Sequence, residues 1–544
     1  LPRTNGNYLE TLFGNGTLDF AGKAVGRPFY SPDRNNFAPN VGLAWNVRGD
    51  GKTAIRVGYS MNFVQDSQAT AIRNSVNTNA GLAQTLQRTG LSSTLSNPTN
   101  LGSPTFSVPR TFADNFALNT QGAFGMPNPG LVTPYVQQWN ISIQQNIKGG
   151  VFEARYVGNH ATKSFRAFDY NQVNINQGGF LTEFRRAYAN GVASQAAGRA
   201  FDPRFNAAVP GSVRLPLLDT FPSAGLLTNA TIINLIQTQQ PGELAHVYQI
   251  NRLVPAGFSF YQNPLALGLN VMSNYTNASY NALQLDYTRR FRSTQFQINY
   301  AYGKVMSDTA GDSQAQFEPF LDINNGKLER SRTPYDVTHA LKGNFFWEVP
   351  VGKGKNWDLG AANWVIGGWS TSGIMTWQTG NPLSIMSFRG TLNRGNRSST
   401  QNGVTATTLS TKGQLDEVVA FRMTGSGPYI IAPGAIGSDG RGVNVDGQAA
   451  FSGQVFYNPG AGELGALQRR YFSGPTWFNF DFALQKSFPI VEKHSVLLRL
   501  TSTNFFNNPT FYSGDQNINS VNFGRVTALQ TDPRRFQFEL QYRF

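Results

Sequence analysis

Near the end of the chain, in "RRFQFELQYRF", apolar and polar residues alternate strictly. Phe536, Phe538, Leu540, Tyr542 and Phe544 are bulky and apolar, and Arg535, Gln537, Glu539, Gln541 and Arg543 stand between them. A period of two sends alternate side chains to opposite faces of a β-strand, so the segment predicts a strand with one apolar and one polar face. The alternation recurs along the chain. "NVGLAWNVR" sets Val41, Leu43, Trp45 and Val47 on one face, and beyond "GDGK" the segment "TAIRVGYSMNF" does the same with Ile55, Val57, Tyr59, Met61 and Phe63, which predicts a hairpin. Further strands are predicted in pairs: "QQWNISIQQNI" with "VFEARYVGN", "YNALQLDYTRRF" with "QFQINYAYGK", "HALKGNFFWEVP" with "GGWSTSGIMTWQTG", and "WFNFDFALQKSF" with "HSVLLRLTSTNFF". With the tail these make about eleven strands, most near the roughly 9 to 11 residues of a tilted membrane strand and longer than is usual in soluble sheets.

The connections sort by length. Short turns fall near 49–52, 148–150, 291–294, 351–362 and 489–492, and long connections near 64–135, 160–277, 307–336, 379–475 and 507–533. Such sorting belongs to an outer-membrane barrel, with short turns at the periplasmic rim and long loops outside, and not to a soluble sandwich. The expected fold is therefore all-β, an antiparallel transmembrane β-barrel with long extracellular loops: residues 1–38 as an external loop, 39–544 as strands and loops. The long connections are polar, as in "LQRTGLSSTLSNPTN" and "GTLNRGNRSSTQNGVTATT", and read as structureless surface caps. If the last strand ends at the periplasmic rim, parity leaves residues 1–38 outside the cell, whereas a free-standing bacterial barrel has an even strand count and starts in the periplasm. "LPRTNGNYLE" also has neither the basic start nor the apolar stretch of a signal peptide, so the expectation is the C-terminal half of a larger barrel.

Composition fits this reading. Charged residues are 14% of the chain and aromatic residues 13%, a surface poor in charge beside the roughly 25% charged residues of soluble domains. A mean hydropathy of -0.31 excludes a helical membrane protein and leaves a barrel open, because only alternate residues of its strands face lipid. Trp45, Trp139, Trp347, Trp369, Trp377 and Trp477 fall in or near predicted strand ends, as an interfacial belt requires. The chain has no cysteine and four histidines, which leaves little for a metal site. Its net charge of +14 points to anionic surroundings, but the basic residues are dispersed or paired in turns without aromatic-basic motifs, so no nucleic-acid partner is expected.

No hydrolase or nucleotide-binding motif is present, and neither an enzymatic activity nor a cofactor is expected. "GKGK" (352–355) reads as a turn, and "SDGRGVNVDG" (438–447) lacks the ligand spacing of a calcium loop. Asp336 and His339 in "PYDVTHAL" are close enough to pair, and read as a rim hydrogen bond. Arg469–Arg470 and Arg534–Arg535 are expected at the outer rim, where guanidinium groups could meet lipopolysaccharide phosphates; solvated loop charge is the competing reading.

Taken in order, "NNFAPNVGLAWNVRGDGKTAIRVGYSMNF", "TPYVQQWNISIQQNI" with "FEARYVGNHATK", "YNALQLDYTRRF", "RTPYDVTHALKGNFFWEVP", "GGWSTSGIMTWQTGNPLSI" and "FNFDFALQKSF" resemble the barrel of TonB-dependent outer-membrane receptors, and within them the Oar-like subgroup common in Acidobacteria, whose members carry a carboxypeptidase-regulatory-like domain. The resemblance implies a 22-stranded barrel, with a plug and a coupling segment that TonB engages; none of these last parts is recognisable here. It also implies that the alternating tail from Phe536 to Phe544 is the signal read by the barrel-assembly machinery. The function implied is uptake of a scarce organic ligand, an oligosaccharide, peptide or chelate. A passive porin and a structural or adhesive surface protein are the rivals.

Overall fold

The computed structural model describes residues 8–63, 76, 79, 109–118, 122–309, 320–394, 403–491 and 494–544. Its frame is one antiparallel sheet whose hydrogen-bonded path follows chain order through eleven strands. They are β1 (Asn40–Asn46), β2 (Thr53–Phe63), β3 (Tyr135–Ile147), β4 (Gly150–Asp169), β5 (Gly268–Phe291), β6 (Thr294–Ser307), β7 (His339–Glu348), β8 (Trp369–Gln378), β9 (Trp477–Val491), β10 (His494–Thr503) and β11 (Arg535–Arg543). The sheet is not closed: among the described residues β1 and β11 each have one neighbour in the path. No helix among them is long and apolar enough to cross a membrane, which says nothing against crossing by strands.

Register turns the alternation of each strand into a property of the sheet. Val57 lies opposite Leu43 and Ile141, Ile141 opposite Tyr156, Tyr156 opposite Leu283, and Leu283 opposite Tyr302. On the far side Phe345 faces Phe296 and Gly373, Gly373 faces Phe482, and Leu484, Leu500 and Phe538 follow in line. Residues directly opposite share a face, so every strand contributes to one predominantly apolar surface, on which Arg289 and Lys486 are charged positions toward the short turns. The other face carries Arg56, Gln144, Glu153, Asp286, Asn299, Lys342, Thr376, Asn479, Arg499 and Glu539. Trp45, Trp347 and Trp369 stand on the apolar face toward the short turns and Trp139 and Trp377 toward the long connections; Trp477, opposite Gln378, falls on the polar face.

Between β3 and β4 the turn is only Lys148 and Gly149, both left-handed with φ of 49° and 76°. That is the two-residue turn whose twist matches antiparallel strands, and glycine takes one of its positions without strain. β4 and β5 run well past the expected strand ends at 160 and 277, with 20 and 24 residues. Their ladder shifts between Ala161 and Ser164 and again between Ser164 and Phe165, beside a left-handed Lys163 (φ 58°), and is regular from there to Asp169 opposite Asn270. A short segment, Ala123–Pro127, adds to this overhang in parallel to β5.

The long connections are not structureless where they are described. Residues 170–267 fold into α1 (Phe180–Ala196), α2 (Ala230–Gln237) and α3 (Pro241–Ile250) around a core of Phe180, Phe184, Leu218, Phe221, Ile236, Leu244 and Tyr248. Phe180 packs edge to face on Phe260 with ring centres 4.7 Å apart. The signals for these helices are local: Asn229 accepts from the amides of Thr231 and Ile232 as an N-cap, and Pro241 opens α3. A second core gathers Leu383, Ile385, Ile431, Phe456, Ile518 and Phe523 from the connections after β8 and β10. Much of the 64–135 connection, including all of "LQRTGLSSTLSNPTN", lies outside the described residues.

Candidate functional site

Two concave surfaces stand out, one on the sheet and one in the folded connections. The first is a groove of about 490 Å³ on the polar face of β4 to β7, lined among others by Glu153, Arg155, Gln284, Asp286, Gln297, Asn299 and Lys342. Strand alternation supplies these residues and the register aligns them: Glu153 is opposite Asp286, Asp286 opposite Asn299, and Asn299 opposite Lys342. Arg155 holds Glu153 at 2.6 Å, and the Gln297 amide donates to Asp286 at 2.8 Å. Charges of both signs and several amides thus line one strip, suited to a polar ligand or a polar protein segment with its own donors and acceptors.

The second is a cavity of about 240 Å³ lined by Tyr170, Gln172, Asn174, Asn176, Gln262, Asp322, Asn324 and Asn393, among others. Gln172 is occupied structurally, donating to the Phe320 carbonyl at 2.5 Å and accepting from the Ile323 amide at 2.7 Å. The polar part of the remaining lining is mainly neutral amide, set among Val173, Ile175, Leu321, Ile323 and Leu392, which matches hydroxyl- or amide-bearing molecules with an apolar side.

Between sheet and connections runs a buried ionic clamp. The Glu329 carboxylate accepts from Arg166 at 2.8 Å, from Arg469 at 3.4 Å and, through its other oxygen, from the Leu321 amide at 2.8 Å. Arg166 also lies over the Phe320 ring, 3.8 Å from its centre. Burial pushes the Glu329 carboxyl up, but Arg469 and Arg166, with the Leu321 amide, outweigh it and hold the group below the usual carboxylate range. In the helical core His246 meets the Tyr261 hydroxyl at 2.6 Å; burial, with a smaller contribution from Arg394, lowers its pKa to about 4.

Arg469 and Arg470 are therefore not the exposed rim pair expected from the sequence. They are 4% and 3% exposed. Arg470 donates to the Ser331 hydroxyl at 2.8 Å and the Arg332 carbonyl at 3.1 Å, and a guanidinium so enclosed has no path to lipid. Arg534 and Arg535 are exposed: Arg534 lies over Phe536 and Arg535 pairs with Asp532 at 3.1 Å. Asp336 and His339 have separate partners, since Asp336 binds Arg332 (2.7 Å) and the Val305 amide (2.6 Å) while His339 Nδ1 meets the Tyr300 hydroxyl (2.7 Å). Phe536, Phe538, Leu540 and Tyr542 share the apolar face of β11 through their register with β10, and Phe544 follows in the same alternation. In "SDGRGVNVDG", Asp446 pairs with Arg389 and Asp439 with Arg441, so both carboxylates are engaged by arginine. Among the described residues no group of three or more His, Cys, Asp or Glu is placed to hold a metal ion.

The sequence did not single out Arg166, Glu329, Asp286 or Lys342. Their positions in predicted strands or loops were visible, but not the partners that long-range register and loop packing bring to them.

Comparison with known proteins adds a family. The family model described as "Outer membrane beta barrel domain" matches residues 2–537. No curated protein matches the chain. Among solved structures it is similar to the outer membrane transporter YddB from Escherichia coli, at 10% identity and a TM-score of 0.40, over 94% of this chain and 41% of that one. It is also similar to the siderophore receptor PirA from Acinetobacter baumannii, at 8% identity and a TM-score of 0.35, over 94% and 41%. A ferric enterobactin receptor from Pseudomonas aeruginosa gives 8% identity and a TM-score of 0.35, over 94% and 40%. The chain spans about two fifths of the length of these structures.

Proposed function

The chain belongs to the outer membrane beta barrel domain family and resides in the bacterial outer membrane, and from that premise we propose that it forms part of the wall and cap of a larger receptor barrel for uptake of a scarce organic ligand. The reading rests on one observation: register joins the apolar positions of eleven strands into a continuous face and sets a mixed-charge polar strip behind it. Lipid requires the first and a solute-lined lumen the second. A free strand edge in hydrocarbon leaves amides and carbonyls unsatisfied, so the proposal requires a further pairing partner for β1 and for β11 in the membrane, within a barrel of 22 strands by resemblance. Within this proposal the receptor is energised through TonB and is of the Oar-like type. Its ligand is an oligosaccharide, peptide or chelate, consistent with the amide-lined cavity in the cap. The alternation from Phe536 to Phe544 serves recognition by the barrel-assembly machinery, and Arg534 and Arg535, the exposed basic pair, face lipopolysaccharide.

The test is uptake of labelled oligosaccharides, peptides and ferric chelates by cells carrying the protein in their outer membrane. Saturable accumulation, abolished by collapsing the proton-motive force and weakened by Lys342→Ala, is expected. Linear uptake indifferent to the proton-motive force would make the protein a porin, and retention at the surface without entry would make it adhesive.

A further inference from the structure

The longest of the short-side connections, between β7 and β8, does not look like a solvated turn. It carries Trp357, Leu359, Trp364, Val365 and Ile366, all half exposed or more, with Trp364 at 69% and Val365 at 59%. Three of these lie on one short helix, α4 (Asn363–Ile366). Exposed apolar residues at this density mark an interaction surface.

The position of α4 identifies what it meets. Lys486 stands on the apolar face of β9, opposite Trp369 and Leu498. An ammonium on a lipid-facing surface needs a partner or a route to water. Here its Nζ donates to the carbonyls of Asn363 (3.4 Å), Trp364 (2.5 Å) and Val365 (2.9 Å), and it lies 4.6 Å from the centre of the Phe488 ring. Trp364 rests on that same ring, with centres 5.6 Å apart. Phe488 is opposite Val496, on the apolar face, and Ile490, two residues further, is exposed. The helix is thus tied to the lipid side of the sheet and not to its polar side, and its apolar residues extend the same surface past the strand ends. The connection also carries Lys353, exposed, and Lys355, which is 3.6 Å from Glu348. Tryptophan and aliphatic residues with flanking lysines suit the boundary between acyl chains and phosphate headgroups.

We infer that the connection from Trp357 to Ile366 is an interfacial anchor that enters the phospholipid leaflet on the short-turn side of the membrane, and that Lys486 is the positioning residue that holds it there. The inference rests on the barrel reading above.

The chain has no cysteine, so a single introduced one carries a unique label. Full-length Val365→Cys, Ile298→Cys on the sheet's apolar face and Leu409→Cys in the long connections are spin-labelled and reconstituted in phosphatidylethanolamine and phosphatidylglycerol vesicles. Relaxation by oxygen, which enriches in lipid, is then compared with relaxation by a water-soluble nickel chelate. The label at 365 is expected to favour oxygen as the label at 298 does, while the label at 409 favours nickel. Adding Lys486→Met is expected to shift the label at 365 toward nickel and leave the label at 298 unchanged. A nickel-accessible label at 365 beside a lipid-like label at 298 overturns the anchor alone. A nickel-accessible label at 298 overturns the barrel reading and the anchor with it. Shielding of position 365 from both reagents would mean burial against a second copy of the chain, and also overturns the anchor.

Discussion

The strand wall and the cap formed by the long connections are held together in opposite ways. The wall has no interior of its own. Its strands meet edge to edge, its apolar side chains point away from the protein, and Leu43, Ile141, Ile298 and Phe538 remain largely exposed. The cap is built like a soluble domain, with Phe180, Phe184, Leu218, Ile236 and Tyr248 sealed from solvent and a carboxylate clamped between arginines. Wall stability therefore depends on backbone hydrogen bonds and the surrounding lipid, and cap stability on packing and buried polar pairs. One chain thus follows two sets of rules, separated by strand ends.

Substitutions chosen for one region should leave the other standing. Phe180→Ala removes the ring at the centre of the helical core and is expected to cost the cap about 3–5 kcal/mol. Hydrogen exchange should show lost protection across α1 to α3 with unchanged protection in β6 to β10; loss in both would mean that wall and cap form one cooperative unit. Ile298→Arg puts a charge midway along a wall strand and is expected to cost about 2–4 kcal/mol in lipid. Urea titration in vesicles measures it, and a neutral result would deny that this face meets acyl chains.

Acid gives the third separation. The folded pKa of His246 lies below its usual 6.5, at about 4, so its contribution is complete above 6.5 and is lost as the pH falls toward 4. The Glu329 carboxyl is depressed as well, so its contribution persists above the unfolded carboxylate range and disappears as the pH falls through the lower folded value. Between pH 6.5 and 4 the cap is expected to lose on the order of 2 kcal/mol from His246. Proteolysis of the cap against pH measures this, and His246→Gln should flatten the response.

The same division explains what could be read from the sequence. Wall strands such as Thr53–Phe63 and Trp477–Val491 were legible because alternation is local and one face must be uniformly apolar. The cap is harder to read: two of its helices have only 8 and 10 residues, and the buried face of the 17-residue α1 keeps helical spacing but is partly polar or small, with Glu183, Asn190, Gly191 and Ser194 among its positions. Asn229 before "ATIINLIQ" and Pro241 were the available signals. Arg469 could not be recognised as buried, since its partner Glu329 lies 140 residues away and only the folded connections bring them together. Asp286 and Lys342 were visible as polar positions, but a shared groove requires the register of four strands.

The ribbon that carries the cap has a mechanical consequence. Over most of their length β4 and β5 are laddered together, and such a ribbon resists bending wherever its hydrogen bonds are continuous. The ladder shifts register twice in succession, between Ala161 and Ser164 and between Ser164 and Phe165, beside the left-handed Lys163, and loses stiffness over that short stretch. The overhang above this joint therefore depends for its rigidity on contacts outside the ladder, while the strands below are held by continuous register. Beyond the joint Arg166 shares Glu329 with Arg469, and Arg389 donates to the Thr238 carbonyl, so the overhang and the helical cap are braced against the connections after β6 and β8 and do not stand on the ribbon alone.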